Sequence, residues 1–138
     1  MTLSRTHVRI KLIVILGILI PIGFYTKVYT GPGSMWVHNS LGGVFYVMFW
    51  CFVVALFHPR FPAWRNASLV TGITCLLEFT QLWKAGWLEY LRGYYLGRIL
   101  LGHSFQWLDF PYYLIGGAAG FLLLKTIMKP VKVRTELD

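Results

Sequence analysis

The sequence predicts an all-α membrane protein with four transmembrane helices and a short interfacial segment between the third and fourth. The first observation is composition: 57% of the 138 residues are hydrophobic and only 13% are charged, whereas soluble domains are about one quarter charged. The second is that the apolar residues are gathered into four runs, which polar or aromatic stretches separate. Because the length allows one domain of modest size, we predict a single transmembrane domain over residues 1–138.

The basic residues lie mainly beside the apolar runs, which decides how the net charge of +8 is interpreted. Arg5 and Arg9 precede the first run, and Arg60 and Arg65 lie between the second and third. Basic residues in such positions anchor helices at anionic lipid headgroups. We therefore expect membrane lipids as partners and no nucleic acid, and we leave open a role for other membrane-protein subunits.

The first two spans are predicted at residues 10–28 and 38–57. Lys11 and Lys27 flank the apolar part of the first span, and their long stems can reach the headgroup level. Turn-forming residues at 30–34 separate the first span from the second. Both runs are long enough to cross the hydrocarbon core of a bilayer.

The third and fourth spans are predicted at residues 66–83 and 109–128, with a long aromatic connection between them. In this connection, large side chains recur at the spacing of one helical face, which predicts a helix that lies on the membrane surface. Glu89 and Arg92 are three residues apart and are expected to pair along this helix. The side chains of the predicted interfacial face are Trp87, Tyr90, Leu91 and Tyr94.

The distribution of Lys and Arg predicts the orientation of the chain. A four-span arrangement places nine of the thirteen Lys and Arg residues on the side of both termini and four on the opposite side. Because cytoplasmic segments carry the excess of positive charge, both termini are predicted to be cytoplasmic, and the aromatic connection is predicted to face outside.

Glu78 is the most informative residue, because a carboxylate inside a transmembrane segment is rare and faces a partner or a polar cavity. Gln81 follows three residues later on the same helical face, and Asp109 opens the fourth span on the same side of the membrane. The connection between the two spans adds Arg92 and Arg98. The predicted topology therefore brings these five side chains to one end of the bundle.

Two interpretations of this cluster are open. The functional one is a site for a polar headgroup, a proton path, or a hydrolytic step in which Glu78 and Asp109 act as acid and base. The structural one is an arginine that folds back onto either acid and neutralises it. We favour the structural interpretation, because neither a nucleophile nor a metal-ligand set accompanies the acids in the sequence. Asp109 is also predicted to be the N-cap of the fourth span.

Small residues predict close packing of helices. Gly116 and Gly120 stand four residues apart on the fourth span, and Gly42 and Gly43 on the second span are candidates for the facing surface. Such faces let two helix backbones approach within a bundle or between protomers. We predict the intramolecular use.

The cysteines and histidines do not form a recognisable ligand pattern. Cys51 and Cys75 lie inside apolar runs and are expected to be small core residues. The histidine spacing predicts no metal site, and the sequence predicts no cofactor. His38 and His103 share a predicted side of the membrane, which leaves a pigment or haem ligand open.

The second half of the chain resembles a known family. The pattern is similar to that of small bacterial membrane proteins in a domain-of-unknown-function family allied to the VanZ-like proteins. The residues that carry the resemblance are 77–81, Leu91, Arg92, 96–102, Phe105, Asp109, Tyr113 and Gly116.

The resemblance implies a compact four-helix protein of the bacterial cell envelope, with VanZ itself linked to resistance to a glycopeptide antibiotic. No catalytic activity comes with the resemblance. Where the family tends to place an acid after a glycine on the second helix, this sequence has Gly42 followed by Gly43. The resemblance also implies a polar signature with two supporting positions. The signature positions are Glu78, Gln81, Arg92 and Asp109, supported by Tyr113 and Gly116.

Three functions are carried forward as expectations. The leading one is a non-enzymatic protein of the bacterial cytoplasmic membrane whose outer polar cluster serves structure or contact with a lipid or ligand. The second is an accessory subunit of a larger membrane complex, suggested by an aromatic content of 17% in a small chain. The third is a lipid-headgroup hydrolase that uses Glu78 and Asp109.

Overall fold

The computed structural model describes residues 2–101 and 105–128, with side chains from Arg5 onward. His103 and the basic residues Lys129, Lys132 and Arg134 lie outside the described residues. The described part of the chain is helical apart from short connections and contains no strand. Its elements are α1 (Thr2–Val28), α2 (Ser34–Trp36), a π-helical turn (Val37–Leu41), α3 (Gly42–Phe57), α4 (Ala63–Thr80), α5 (Gly86–Gly93), α6 (Tyr95–Leu101) and α7 (Asp109–Ile127).

Three helical stretches in the described residues are long and apolar enough to cross a membrane. They are Arg5–Val28, Ser34–Phe57 and Asp109–Ile127. The second of these joins α2, the π-helical turn and α3 into one continuous helical run. α4 is as long as a short span but less apolar, because Arg65, Asn66 and Glu78 lower its mean hydropathy.

The turn between α1 and α2 depends on one glycine. Gly33 has φ of 72°, in the left-handed region, and directly precedes the first residue of α2. A side chain with a Cβ is strained in this conformation, whereas glycine adopts it freely. The turn predicted at 30–34 therefore reverses the chain through this residue.

α3 lies at the centre of the bundle and packs against α1, α4 and α7. α4 also packs against α7. Buried apolar side chains from all four helices form one core, whereas many large apolar side chains on their other faces are exposed. The buried core residues are Leu12, Leu16, Leu19, Val47, Cys51, Phe52, Ala55, Ala67, Val70 and Leu124.

Glycine allows α3 and α7 to approach closely. A Cβ added to Gly116 would lie 2.7 Å from the carbonyl oxygen of Val44, so any larger residue would push the two backbones apart. A Cβ at Gly120 would meet the side chain of Cys51 on α3, with Sγ at 3.1 Å. Gly43 instead faces the ring of Tyr113 on α7, and Gly42 faces the end of α1. The two glycine pairs thus contact different neighbours rather than each other.

Candidate functional site

The Glu78 carboxylate lies in the last turn of α4 and is only 1% exposed. It accepts a hydrogen bond from Gln81 Nε2 at 3.0 Å and one from the backbone N–H of Gln106 at 3.1 Å. The hydroxyl of Tyr113 donates a third hydrogen bond at 2.8 Å. These donors come from the end of α4, the connection before α7, and α7 itself.

The three donors explain how an acid is tolerated in the interior. A buried carboxylate is costly unless hydrogen bonds replace those of water. Oε1 of Glu78 accepts the bond from Gln106, and Oε2 accepts those from Gln81 and Tyr113, so both oxygens are satisfied. Glu78 therefore joins the end of α4 to the connection before α7 and to α7 itself, which lie about thirty residues further along the chain.

Asp109 is the first residue of α7 and lies beside Glu78. Its predicted N-cap role is wrong, because Leu108 is the N-cap and no side chain caps this helix. The Asp109 carboxyl faces Glu78 and Lys27 instead of the first backbone N–H groups. One of its oxygens, Oδ1, is buried and has no hydrogen-bond partner among the described residues.

Lys27, in the last turn of α1, is a member of the site that the sequence reasoning missed. Its ammonium group attracts the Asp109 carboxylate, and Nζ donates a hydrogen bond to the carbonyl of His38 at 2.8 Å. The His38 ring is itself hydrogen-bonded through Nε2 to the carbonyl of Tyr29 at 2.6 Å. In this structure His38 thus serves the contact between α1 and the following turn.

Arg92 holds the C-terminal end of α4. Its guanidinium is 6% exposed and donates to the carbonyl oxygens of Thr80 at 2.9 Å and Trp83 at 3.4 Å. Carbonyl groups at a helix end lack partners within the helix and attract a positive charge. The predicted pair with Glu89 is confirmed, with an N–O distance of 3.1 Å.

The predicted ion pair between an arginine and Glu78 is wrong. Arg92 is occupied by Glu89 and by the carbonyl groups that follow α4, while Glu78 is satisfied by uncharged donors. The Arg98 side chain is exposed and has no hydrogen bond or ion pair with a described residue. The structure therefore brings together Glu78, Gln81, Asp109 and Tyr113. Arg92 binds carbonyl groups at the adjacent end of α4 but not Glu78, and Arg98 contacts none of these groups.

Aromatic rings pack next to the polar cluster. Phe79 and Phe110 have ring centroids 5.3 Å apart, and Phe105 and Trp107 have centroids 5.0 Å apart. These residues are direct sequence neighbours of Glu78, Gln106 and Asp109. They surround the ends of α4 and α7 with apolar surface, which strengthens the hydrogen bonds of the cluster.

The arrangement has limited chemical options. Glu78 already accepts three hydrogen bonds from the protein, whereas Oδ1 of Asp109 accepts none from a described residue, and the Asp109 carboxyl feels the positive charge of Lys27. Within residues 2–101 and 105–128, no group of three or more His, Cys, Asp or Glu side chains is placed to hold a metal ion. The geometry fits contact with a polar group better than it fits acid and base catalysis.

No solved structure matches the chain. Residues 33–117 match the family described as Protein of unknown function (DUF2809). The matched region runs from Gly33 to Gly117 and includes Glu78, Gln81, Arg92, Asp109 and Tyr113, whereas α1 and Lys27 precede it. The chain thus belongs to the DUF2809 family.

Proposed function

We propose that the chain is a VanZ-like, non-enzymatic protein of the bacterial cytoplasmic membrane that crosses the bilayer four times, with both termini in the cytoplasm. Three apolar helical stretches support the crossings by α1, α3 and α7. α4 is the remaining span, the third along the chain: its 18 residues correspond to about 27 Å of helix, close to the thickness of a hydrocarbon core. Its packing against both α3 and α7 supports the same arrangement.

The short helix α5 is the interfacial segment. Trp87 and Tyr90 are 59% and 66% exposed, while Leu88 and Arg92 on the opposite side of α5 are buried. Amphipathic aromatic rings are favoured at the level of lipid headgroups. We therefore place the aromatic face of α5 against the outer headgroups and its buried face against the protein.

The polar cluster fixes the outer end of the bundle and presents Asp109 to a polar group of a lipid or ligand. The observation that carries this proposal is the set of three hydrogen bonds to Glu78 from three separate segments. Because Glu78 is satisfied internally, its role is to position α4, α7 and the connection. Oδ1 of Asp109 is buried and has no hydrogen-bond partner among the described residues, so we assign it as the acceptor for a small donor, such as an amine or hydroxyl, that enters this end of the bundle.

Cysteine labelling tests the topology. In a background with both native cysteines replaced by serine, we would introduce Thr30→Cys, Arg60→Cys and Ala85→Cys and treat intact cells with a membrane-impermeant maleimide. We expect labelling at positions 30 and 85 in intact cells, and at position 60 only after permeabilisation. Labelling of positions 60 and 85 from the same side would contradict the crossing by α4.

Deletion of the chain in its host tests the envelope role. We expect altered growth in the presence of a glycopeptide antibiotic, restored by the wild-type chain and by the matched control Arg98→Ala. Restoration by Asp109→Asn should be weaker, because an amide changes both the charge and the donor pattern at the free oxygen. Loss of the activity of another membrane complex instead would favour the accessory-subunit function.

A further inference from the structure

A second polar region lies at the opposite end of the bundle from Glu78. Here the start of α1, the end of α3 and the connection to α4 surround an open pocket of about 690 Å³. Arg5 and Arg9 line it from α1, and His58 and Arg60 line it from the connection. Apolar side chains form the rest of the wall, among them Val54, Phe57 and Leu69.

The positive charge of this basic pocket is not neutralised by the described part of the protein. In that part the ion pair is between Arg92 and Glu89, so none of the three pocket arginines is paired with a described acid. Glu78 is fifteen residues from the start of α4, which corresponds to about 22 Å of helix. Glu89 and Asp109 lie at that same distant end.

Three guanidinium groups around one opening repel one another unless an anion lies between them. Guanidinium groups bind phosphate oxygens in a bidentate way, so a phosphate is the anion that this set recognises best. The apolar wall beside the arginines adds a surface suited to a glycerol backbone and acyl chain. We infer that the pocket lined by Arg5, Arg9 and Arg60 binds the phosphate of an anionic phospholipid headgroup.

This inference needs only that the chain lies in a membrane, and it concerns a different site from that of the proposed function. The pocket should prefer an anionic lipid to a zwitterionic one, because a zwitterionic headgroup carries a positive charge that the arginines would repel. A free phosphate compound shares the phosphate chemistry but lacks the acyl chain that the apolar wall would hold. The two sources are therefore separable by experiment.

The test uses the full chain in a neutral detergent, titrated with short-chain phosphatidylglycerol, phosphatidylcholine of the same chain length, and inorganic phosphate. We expect phosphatidylglycerol to bind most tightly. Arg9→Gln and Arg60→Gln should each weaken its binding by about fivefold, the effect of one basic residue near an anionic lipid surface. Arg60→Lys should weaken binding less, because it keeps the charge.

Arg65→Gln is the matched control. Arg65 follows the same connection and lies over the ring of Trp64 at 5.2 Å, outside the basic pocket. The Arg65→Gln variant should bind phosphatidylglycerol as tightly as the wild type does. In phosphatidylcholine, all variants should have the same unfolding temperature as the wild type. Equal binding of the two lipids, or an equal loss in Arg65→Gln, would overturn the inference. Inorganic phosphate that binds as tightly as phosphatidylglycerol would overturn the assignment to a lipid.

Discussion

The two ends of the bundle treat their charged side chains in opposite ways. At the end of α4, Glu78 is buried and receives three hydrogen bonds from the protein itself. At the other end, Arg5, Arg9 and Arg60 line an open pocket and are paired with no described acid. A charged group that is hydrogen-bonded within the protein stabilises the fold, whereas a charged group that lines a pocket without such a partner is available to bind a ligand.

The largest effect is expected from Glu78→Ala. This change leaves the three donors of Gln81, Gln106 and Tyr113 without an acceptor inside the protein. Because each unsatisfied buried donor costs about 1–3 kcal/mol, we expect a loss of about 3 kcal/mol or more in the free energy of unfolding. Denaturant unfolding in detergent measures it.

Glu89→Ala is the control for that loss, since Glu89 is 55% exposed and its ion-pair partner among residues 5–101 and 105–128 is Arg92. Because the Glu89 carboxylate is exposed and Arg92 keeps its bonds to the carbonyls of Thr80 and Trp83, we expect a loss of about 1 kcal/mol or less. If Glu78→Ala lost no more free energy of unfolding than Glu89→Ala, the Glu78 hydrogen bonds would not stabilise their end of the bundle. The proposed contrast with the basic pocket would then be wrong.

The next effect is expected from Gly116→Ala. The added methyl group would lie 2.7 Å from a backbone oxygen of α3, so α3 and α7 must separate and Tyr113 must move with α7. Overpacking of this kind costs about 1–3 kcal/mol. Thermal unfolding should show the loss, whereas binding of phosphatidylglycerol at the opposite end should be unchanged.

Gly72→Ala is the matched control, because a Cβ at Gly72 on α4 meets no atom within 4 Å. Alanine is also the better helix former, so this variant should be neutral or slightly stabilising. A destabilisation equal to that of Gly116→Ala would show that the close approach of α3 and α7 is not the cause.

Arg92→Ala is expected to have an intermediate effect. It removes the donors to the carbonyl groups of Thr80 and Trp83, which satisfy the end of α4 next to Glu78. Hydrogen bonds to a charged group contribute about 1.5–3 kcal/mol, and the loss should fall at the lower end because the bond to the Trp83 carbonyl is long, at 3.4 Å. The exposed Arg98→Ala is the matched control and should unfold like the wild type.

The smallest effect on stability is expected at the basic pocket. In the absence of anionic lipid, Arg60→Gln should leave the free energy of unfolding unchanged within about 0.5 kcal/mol, because the side chain has no ion-pair partner among the described residues. Addition of phosphatidylglycerol should stabilise the wild type and stabilise this variant less. A large loss in the free energy of unfolding of Arg60→Gln without lipid would show that Arg60 makes stabilising contacts within the protein.

The sequence predicts the local features of the polar cluster. Gln81 stands three residues after Glu78 on one helical face and does donate to it, and Glu89 and Arg92 form their predicted pair. Both contacts follow from helical periodicity alone. The apolar runs likewise locate the helices, because burial of nonpolar side chains sets their length and spacing.

Contacts between distant segments could not be predicted in the same way. The backbone N–H of Gln106 is a donor in every sequence, so no residue type marks it as the partner of Glu78. Lys27 reaches Asp109 only because α1 and the start of α7 meet at one end of the bundle. The sequence also does not show which of Arg92 and Arg98 lies beside the polar cluster. In the structure it is Arg92, because its guanidinium reaches the carbonyl groups at the end of α4. Tertiary packing decides these partners, and spacing along the chain does not reveal it.

A double-mutant cycle of Glu78→Ala and Tyr113→Phe, measured by unfolding in detergent, tests the central claim most directly. The phenol donates to the carboxylate at 2.8 Å across α4 and α7, so the two losses should be coupled by about 0.5–3 kcal/mol. The double variant should therefore be more stable than the sum of the single losses predicts. Strictly additive losses would contradict a Glu78 that joins these helices directly.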